Sequence, residues 1–434
     1  MQDDLNDWTR EASRMAAVYA NAVVTIAATA AKDSSEGLFL PRMKTTEPRV
    51  DISYDCKENR GRGRSLGTGT MTICHCFNAY DANAHESIDR APLNQRAWVL
   101  QERLLSRRTL HFATHQMYWE CDGVFASEDG TIYDPNPARR LKQSFPVVEP
   151  DANQNSHSFL NFDEVVIQGW CRILEEYTQR AVTKDTDRLP ALAGIATSVL
   201  RRFGKQSFDE NIRRQYFAGL WRPHLHVGLL WQAKGGGLQQ PSRYRAPSWS
   251  WASLEGSIQY DTWLWSNKLP TEISEIQEAD VTVNGEWLTG EVTNGRLKAR
   301  SLLKGAIYDP DIKFDMGIPA SDSEEMICGT LFNKETGIMI GWCALDEACN
   351  QYKREVCCFL ISRSVPSDVV RQNRGLDGTE NILVLARRDG GIVDEFARIG
   401  TGQVDCKINW YDTQHEQSKD RQGETKHWRT ITIL

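Results

Sequence analysis

The hydrophobic pattern near the start of the chain changes from a helical period to a strand period. Ala12, Met15, Ala16 and Tyr19 recur at the spacing of one helix face, which predicts an amphipathic helix. The run from Val23 to Ala28 follows directly and is rich in β-branched residues, so we expect a short buried strand. A helix that leads into a strand is half of a β-α-β unit. If the sheet is parallel, one of its edges is expected to be bare.

Helical and extended patterns alternate through the middle of the chain. Apolar spacing predicts a helix from Leu93 to Leu105 and strands at 109–112 and 116–121. A polar, proline-containing stretch at 127–162 predicts a long excursion. Three further helices are predicted after it: Phe162 to Thr178, Leu189 to Phe203 and Tyr216 to Leu230.

The pattern changes again after about residue 240, where short alternating runs are separated by glycine turns. Residues 285–434 therefore predict an antiparallel β-rich unit, either a sandwich or a barrel. The predicted fold class is α+β. Three domains are expected: an α/β part at 1–126, a mainly helical extension at 127–240 and a β-rich C-terminal domain at 241–434.

Composition and charge exclude several classes of protein. The formal net charge is −7 and the basic residues are scattered, so we expect no nucleic-acid partner. No run approaches the roughly 20 apolar residues of a membrane helix, and the first residues do not resemble a signal peptide. Eleven irregularly spaced cysteines do not predict a disulfide framework. Reduced thiols and a cytoplasmic location are therefore the expectation.

One cysteine pair allows a metal hypothesis. On a strand, Cys74 and Cys76 share one face and His75 points to the other. Two thiolates together with a distant histidine, His111 or His115, would suit zinc. The alternative is a pair of small buried thiols. Because the sequence contains no Cys-x-x-Cys pair, we predict no metal and no cofactor.

A second hypothesis concerns a thiol nucleophile. Cys121 lies close in sequence to His111 and His115 and is followed by Asp122. A thiol, a base and an orienting carboxylate are the parts of a nucleophilic site. The alternative is that these side chains only pack in adjacent strands.

The segment from Arg245 to Trp251 is rich in aromatic residues. Alternation along an extended chain places Trp249 and Trp251 on one face and Ser248 and Ser250 on the other. The indoles would then form either the wall of a ligand pocket or a seal between the helical section and the β-rich tail.

Several blocks of the sequence together resemble the fungal heterokaryon-incompatibility (HET) domain family. The most specific block runs from Leu93 to Arg108 and contains Trp-Val-Leu-Gln-Glu-Arg-Leu-Leu, followed by Tyr-Trp-Glu-Cys at 118–121. The other matching blocks are Asp7 to Phe39, Asp187 to Gly194, Ala218 to Trp221, Leu229 to Trp231 and Tyr244 to Ala252. Family members usually carry two earlier blocks that are not in this sequence, so we expect a domain that lacks its start.

The resemblance implies a role in fungal non-self recognition. Members of the family are associated with allorecognition and programmed cell death, which implies a protein partner of unknown identity. The expected mechanism is protein-protein interaction without catalysis. A bare sheet edge would also allow a homo-oligomer.

The resemblance also leaves an enzyme as the alternative. The family has been compared with Toll/interleukin-receptor-like (TIR) domains, some of which cleave NAD with a glutamate on a helix. By that likeness Glu102 would be the catalytic residue and NAD a substrate; otherwise Glu102 pairs with Arg96 or Arg103. A second enzymatic alternative is a cyclase or isomerase of secondary metabolism. Its pocket would be lined by Trp98, Arg245, Trp249 and Trp251.

Overall fold

The fold is taken from a computed structural model of the chain. It describes residues 5–40, 49–57, 65–74, 88–133, 162–203, 214–235, 237–260, 269–287, 290–312, 328–347, 352–364, 378–388, 394–411 and 428–434.

The chain forms two compact units that are interleaved along the sequence. The larger unit contains residues 1–20, 96–105 and 140–434, and the smaller unit contains residues 21–95 and 106–139. The helix and the strand at the start of the chain therefore belong to different units. The domain boundaries near residues 126 and 240 stay a prediction.

The smaller unit contains a five-stranded sheet and a separate hairpin. Its strands are β1 (Thr25–Ala27), β2 (Arg49–Lys57), β3 (Ser65–Cys74), β4 (Arg108–Phe112), β5 (Met117–Cys121), β6 (Phe125–Ser127) and β7 (Ile132–Tyr133). The sheet has the order β1-β4-β5-β6-β7, while β2 pairs with β3. β1 runs parallel to β4, and the other strands of this sheet pair antiparallel. Among the described strands of this sheet, parallel pairing is therefore confined to the edge formed by β1 and β4.

The expected burial of β1 is wrong. Ile26 is 60% exposed and Val23, just before the strand, is 79% exposed. The physical reason is the position of β1 at the end of the sheet order, with β4 as its neighbour among the described strands. β-Branched residues predict extended backbone, but they do not predict which strand of a sheet is covered.

The larger unit begins with a helical layer. Its helices are α1 (Leu5–Asn21), α2 (Ala97–Leu105), α3 (Phe162–Thr178), α4 (Ala193–Phe203) and α5 (Leu225–Gly228). α1, α2 and α4 meet at Gly194, where a Cβ would stand 2.7 Å from the Cβ of Ala16. The buried Gln101 accepts a hydrogen bond from the Gly194 N–H at 2.7 Å. Gly194 therefore allows the three helices to approach closely. No helix in the described part of the chain has the length and apolarity that a membrane crossing requires.

The helix expected from Tyr216 to Leu230 is mostly absent. The strands β8 (Tyr216–Phe217) and β9 (Leu220–Trp221) form a hairpin instead, and only α5 is helical. The two turn residues, Ala218 and Gly219, both have positive φ, at 44° and 95°. This is the backbone of a two-residue hairpin of type I′. The apolar residues of this stretch have a spacing that resembles a helix, but the Ala-Gly turn reverses the chain within it.

The rest of the larger unit is built from strands. They are β10 (Gln232–Ala233), β11 (Ile258–Gln259), β12 (Thr271–Glu272), β13 (Glu275–Asn284), β14 (Glu291–Asp309), β15 (Cys328–Asn333), β16 (Met339–Leu345), β17 (Arg354–Ser364), β18 (Thr379–Arg387), β19 (Glu395–Asp405) and β20 (Trp428–Ile433). β10 pairs with β11, and the other nine strands form one sheet.

Six strands of this sheet close into a barrel. Antiparallel pairing runs from β14 through β15, β16, β19, β18 and β17 and returns from β17 to β14. The closure is possible because β14, with 19 residues, is long enough to pair with β13 and β20 in its first half and with β15 and β17 in its second. Of the two predicted architectures, the barrel is the one observed, and the α+β class is confirmed.

Alternate side chains of the barrel strands enter two different cores. On β17, Cys358 and Leu360 lie in one buried cluster, which also includes the buried Tyr308. Their neighbours Phe359 and Ile361 lie in the other cluster, together with the buried side chains of α2, α3 and α4. The barrel therefore has apolar side chains on both faces of this strand, and one face packs against the helical layer.

Candidate functional site

The segment from Arg245 to Leu254 forms a compact turn rather than an extended strand. Ser250 caps a 3-10 turn at Trp251–Ser253 because its hydroxyl accepts the Ala252 N–H at 3.1 Å. The same hydroxyl donates to the Ala218 carbonyl at 2.6 Å. The segment is thereby attached to the hairpin of β8 and β9.

Trp249 and Trp251 are in the core. They are 0% and 1% exposed and belong to the cluster shared by the helices and the barrel. The Trp249 carbonyl accepts a bond from the Trp231 indole at 3.1 Å. Trp251 packs edge to face on Tyr177, with ring centroids 5.7 Å apart. These positions correspond to the expected seal between the helical section and the β-rich tail.

Arg245 holds the turn closed. Its Nε donates to the Ala252 carbonyl and its Nη2 to the Leu254 carbonyl, both at 2.7 Å. Burial, and after it the charge of Arg188, lowers the pKa of Arg245. Arg188 is itself buried under Tyr177 and Trp251, with its guanidinium carbon 5.4 and 5.9 Å from the two ring centroids. Two arginines are therefore buried close together and bonded to backbone carbonyls.

Trp98 contributes to helix docking. Its indole N–H donates to the Asp187 carboxylate at 3.0 Å. Burial raises the pKa of Asp187, and the bond from Trp98 lowers it. The Trp98 to Asp187 bond and the Gln101 to Gly194 bond both connect α2 to residues 187–194. Two of the sequence blocks that carry the family resemblance are thus joined to each other.

Glu102 is half-buried in the helical layer. Burial raises the pKa of Glu102, whereas a hydrogen bond with Tyr19 and the charge of Arg96 lower it. Burial is the main cause that raises the pKa of the Tyr19 phenol, and the charge of Glu102 and the hydrogen bond with it add to the rise. Glu102 thus connects α2 to α1. The electrostatic influence of Arg96 agrees with the ion-pairing alternative, and a catalytic role for Glu102 stays a prediction.

A cavity of about 460 Å³ lies beside the Arg245 turn. Arg245, Ala246 and Ser248 line it, but Trp98, Trp249 and Trp251 are not among its lining residues. Tyr244, which is 51% exposed, is the aromatic residue that lines this cavity among the described residues. Its volume is in the range of small-molecule sites. The sequence therefore located the segment beside the cavity, but the side chains that face it are mainly polar.

The smaller unit contains a buried histidine network. His111 bonds through Nδ1 to the Thr29 hydroxyl at 3.0 Å and through Nε2 to Glu120 at 3.1 Å. All three side chains are buried. Both ring nitrogens are thus occupied without Cys121. Cys121 is opposite Arg108 on β4, at the register position that alternation places on the other face. The hypothesis that His111 is the base for a Cys121 nucleophile is therefore wrong.

The described residues contain no group of three or more histidine, cysteine, aspartate or glutamate side chains arranged to hold a metal ion. Residues His75 and Cys76 of the metal hypothesis lie outside the described part, as does the side chain of Cys74. That hypothesis is therefore open for those residues.

Glu175 on α3 is a half-buried carboxylate with a pKa close to neutrality. Its Oε1 accepts the Tyr260 backbone N–H at 2.6 Å. Burial is the main cause that raises the pKa of Glu175 to about 7, and the charge of Glu176 adds to it. The Tyr260 bond and the charges of Lys234 and Arg172 act in the opposite direction.

Glu175→Gln should remove the part of the pH dependence of stability that comes from titration of the Glu175 carboxyl group. The unfolded carboxyl group loses its proton near its ordinary pKa of 4.5, and the folded one near 7. Between these values the folded state binds more protons, so stability falls as the pH rises. After allowance for the partial exposure of Glu175, we expect this titration to lower the free energy of unfolding by about 2 kcal/mol across this pH range. Glutamine keeps the acceptor oxygen and has no charge.

The measurement is urea unfolding of both proteins at pH 5 and pH 8. The variant should gain about 2 kcal/mol relative to wild type between the two pH values. Glu335→Gln, at an exposed position that does not act on the Glu175 carboxylate, is the control and should change little. An equal difference at both pH values would contradict the assignment to Glu175.

Sequence reasoning missed the residues that connect the turn to the barrel. The Ser248 hydroxyl donates to the Leu434 carbonyl and accepts the Arg398 backbone N–H at 3.0 Å. Arg398 forms a buried ion pair with Asp346. Neither Arg398 nor Asp346 stands in a motif, because the pair joins β19 to the residue after β16, 52 residues earlier in the chain.

Comparison with known proteins supports one family. Residues 1–102, about a quarter of the chain, match the family model described as heterokaryon incompatibility protein (HET). No curated protein and no solved structure matches the chain significantly. The predicted resemblance of the N-terminal part to this family is thereby confirmed.

Proposed function

We propose, from the similarity of residues 1–102 to the heterokaryon incompatibility family, that this protein is a recognition factor in fungal non-self discrimination. It acts in the cytoplasm by binding another protein, and the complex triggers growth arrest or cell death. In this proposal the protein does not catalyse a reaction. The observation that carries the proposal is an open apolar face on the sheet of the smaller unit.

One apolar row crosses all five strands of that sheet. The strand register places Ile26 beside Leu110, Leu110 beside Trp119, Trp119 beside Ala126 and Ala126 beside Ile132. Ile26 is 60% and Ile132 70% exposed, and the three residues between them are half-buried. A contiguous apolar row of this kind is typical of an interaction surface, because single exposed apolar residues do not line up across strands.

Aromatic side chains extend the row along the sheet. Phe112 is opposite Met117 in the next register position of the same face. Phe39 packs edge to face on Phe112, with centroids 5.5 Å apart, and is itself 83% exposed. Large aromatic residues that bury area on binding commonly dominate the affinity of protein interfaces. Phe39 is suited to that role.

The edge of the sheet offers a second means of contact. β1 is the terminal strand of the sheet among the described residues, and Val23 beside it is 79% exposed. An extended segment of a partner, or the same strand of a second copy, can add to such an edge through backbone hydrogen bonds. The edge therefore supports a homo-oligomer as one form of the complex.

The test is expression of the full chain in a filamentous fungus. We expect growth arrest with the wild-type chain and normal growth with Ile26→Asp/Ile132→Asp, because two carboxylates make an apolar interface unfavourable. Ile338→Asp in the larger unit is the matched control, since Ile338 is also 60% exposed. It should arrest growth as the wild type does. Radial growth and vital staining measure the effect, with protein levels compared by immunoblot.

Two outcomes would contradict the proposal. Arrest by the double variant at equal protein level would show that the apolar face has no role. Turnover of NAD by the purified protein, lost in Glu102→Gln, would replace recognition with the enzymatic alternative. Growth arrest lost in the double variant and kept in Glu102→Gln supports recognition.

A further inference from the structure

The cavity beside the Arg245 turn is an arginine-rich recess in an acidic protein. Four arginines are among its lining residues, Arg243, Arg245, Arg388 and Arg398, against one acidic side chain, Glu347. The chain as a whole has a formal net charge of −7. A concave wall of one charge sign raises the local concentration of ligands of the opposite sign. We infer that the cavity binds a phosphorylated small molecule of about nucleotide size.

One of the four arginines is fully used by the fold. Arg398 donates to both carboxylate oxygens of Asp346, at 3.1 and 3.2 Å, and to the backbone carbonyls of Leu229 and Trp231. Its charge is balanced inside the protein. Arg398 therefore shapes the wall of the cavity and does not supply the electrostatic attraction for an anionic ligand.

Arg245 has a fixed position in the wall of the cavity. Its Nε and Nη2 donate to backbone carbonyls, which are neutral acceptors. It makes no ion pair with a carboxylate among the described residues. Arg188, whose charge lowers the pKa of Arg245, is likewise bonded to the carbonyls of Arg180, Thr178 and Gly256. Arg245 therefore places a fixed cation in the wall of the recess, and Glu255 and Asp185 act on its charge without forming an ion pair with it among the described residues.

Arg243 and Arg388 supply the groups that can reach a ligand. Both are exposed and both line the cavity, and neither forms an ion pair within the described part of the chain. Guanidinium groups bind phosphate oxygens in a bidentate manner. A phosphate between these two side chains would gain charge-assisted hydrogen bonds without breaking an existing ion pair in the described structure.

Two further side chains favour a ligand larger than free phosphate. Tyr244, between Arg243 and Arg245, is half-exposed and offers a ring face to a planar group. Glu347 offers an acceptor for a hydroxyl or amino group and disfavours a second negative charge beside it. The volume of about 460 Å³ accommodates such a molecule. This ligand site is independent of the protein contact proposed above.

Titration calorimetry at low ionic strength tests the inference, with ADP, inorganic pyrophosphate and adenosine as separate probes. We expect ADP to bind, pyrophosphate to bind more weakly, and adenosine not to bind measurably. Arg243→Gln/Arg388→Gln should raise the dissociation constant of ADP about tenfold or more, the scale of lost charge-assisted bonds. Raised salt should weaken ADP binding as well.

Arg296→Gln is the matched control. Arg296 is exposed, pairs with Glu278 at 3.8 Å and is not among the lining residues. It should leave ADP binding unchanged. The inference is overturned if no phosphorylated probe binds the wild type at millimolar concentration. It is also overturned if adenosine binds as well as ADP, or if the double variant binds ADP as the wild type does.

Discussion

Asp346→Ala should lower the free energy of unfolding by about 3–5 kcal/mol, the cost of breaking a buried ion pair from one side. The Arg398 side chain is 0% and the Asp346 side chain 3% exposed. The guanidinium carbon lies 3.3 Å from the centroid of the buried Trp231 ring. Without Asp346 the positive charge stays in an apolar setting with only the carbonyls of Leu229 and Trp231 as partners.

Urea unfolding followed by tryptophan fluorescence measures this effect. Glu275→Ala is the control, because the Arg300 to Glu275 pair is at the surface, with 33% and 56% of the two side chains exposed. It should cost less than about 1 kcal/mol. Asp346→Ala/Arg398→Met should cost less than the sum of its two single changes, since the uncompensated charge is gone. A loss below about 1 kcal/mol for Asp346→Ala would show that water screens the pair.

Gly219→Ala should cost about 2–4 kcal/mol, from strain in the backbone and overpacking together. Gly219 has a φ of +95°, a conformation unfavourable for alanine. A Cβ there would stand 2.4 Å from Nε1 of Trp251. Trp251 is 1% exposed, and the Gly219 carbonyl accepts the Trp170 indole N–H at 3.0 Å. Neither the ring nor the turn can move away without breaking other contacts.

Gly235→Ala separates the two causes. Gly235 has a φ of +78°, and a Cβ there would meet nothing within 4 Å. It should show the backbone cost alone, about 1 kcal/mol. Equal losses in the two variants, measured by urea unfolding, would show that the contact with Trp251 relaxes freely. If Gly219→Ala loses over about 1 kcal/mol more unfolding free energy than Gly235→Ala, the hairpin and the Arg245 turn are packed too tightly to admit a methyl group.

Local patterns predicted those elements whose side chains have a regular period. α3 was expected at Phe162 to Thr178 and is observed at these residues, because its apolar side chains repeat along a single face. β4 and β5 were also expected from alternation, and the pairing of their residues places His111 and Glu120 on the buried face. The prediction failed at 216–230, where a Gly-containing turn reverses the chain within an apolar stretch.

The candidate sites were predicted only as segments. The Arg245 turn does line a cavity, but which of its side chains face the cavity depends on the Ser250 cap and on the 3-10 turn that follows. Alternation along an extended chain therefore could not predict the burial of Trp249 and Trp251. Arg388, which lines the same cavity, directly follows β18 more than a hundred residues later and has no local signal.

The sequence by itself determined the local periods, the family resemblance of the first part and the α+β class, because these depend on neighbours within a few turns or strands. Only the tertiary structure decided the closure of β14 on β17, the pairing of Arg398 with Asp346 and the alignment of Ile26 with Ile132 across five strands. Each of these depends on register between distant segments. Register is set by the packing of the whole core and by loop closure over long separations, which no local pattern contains.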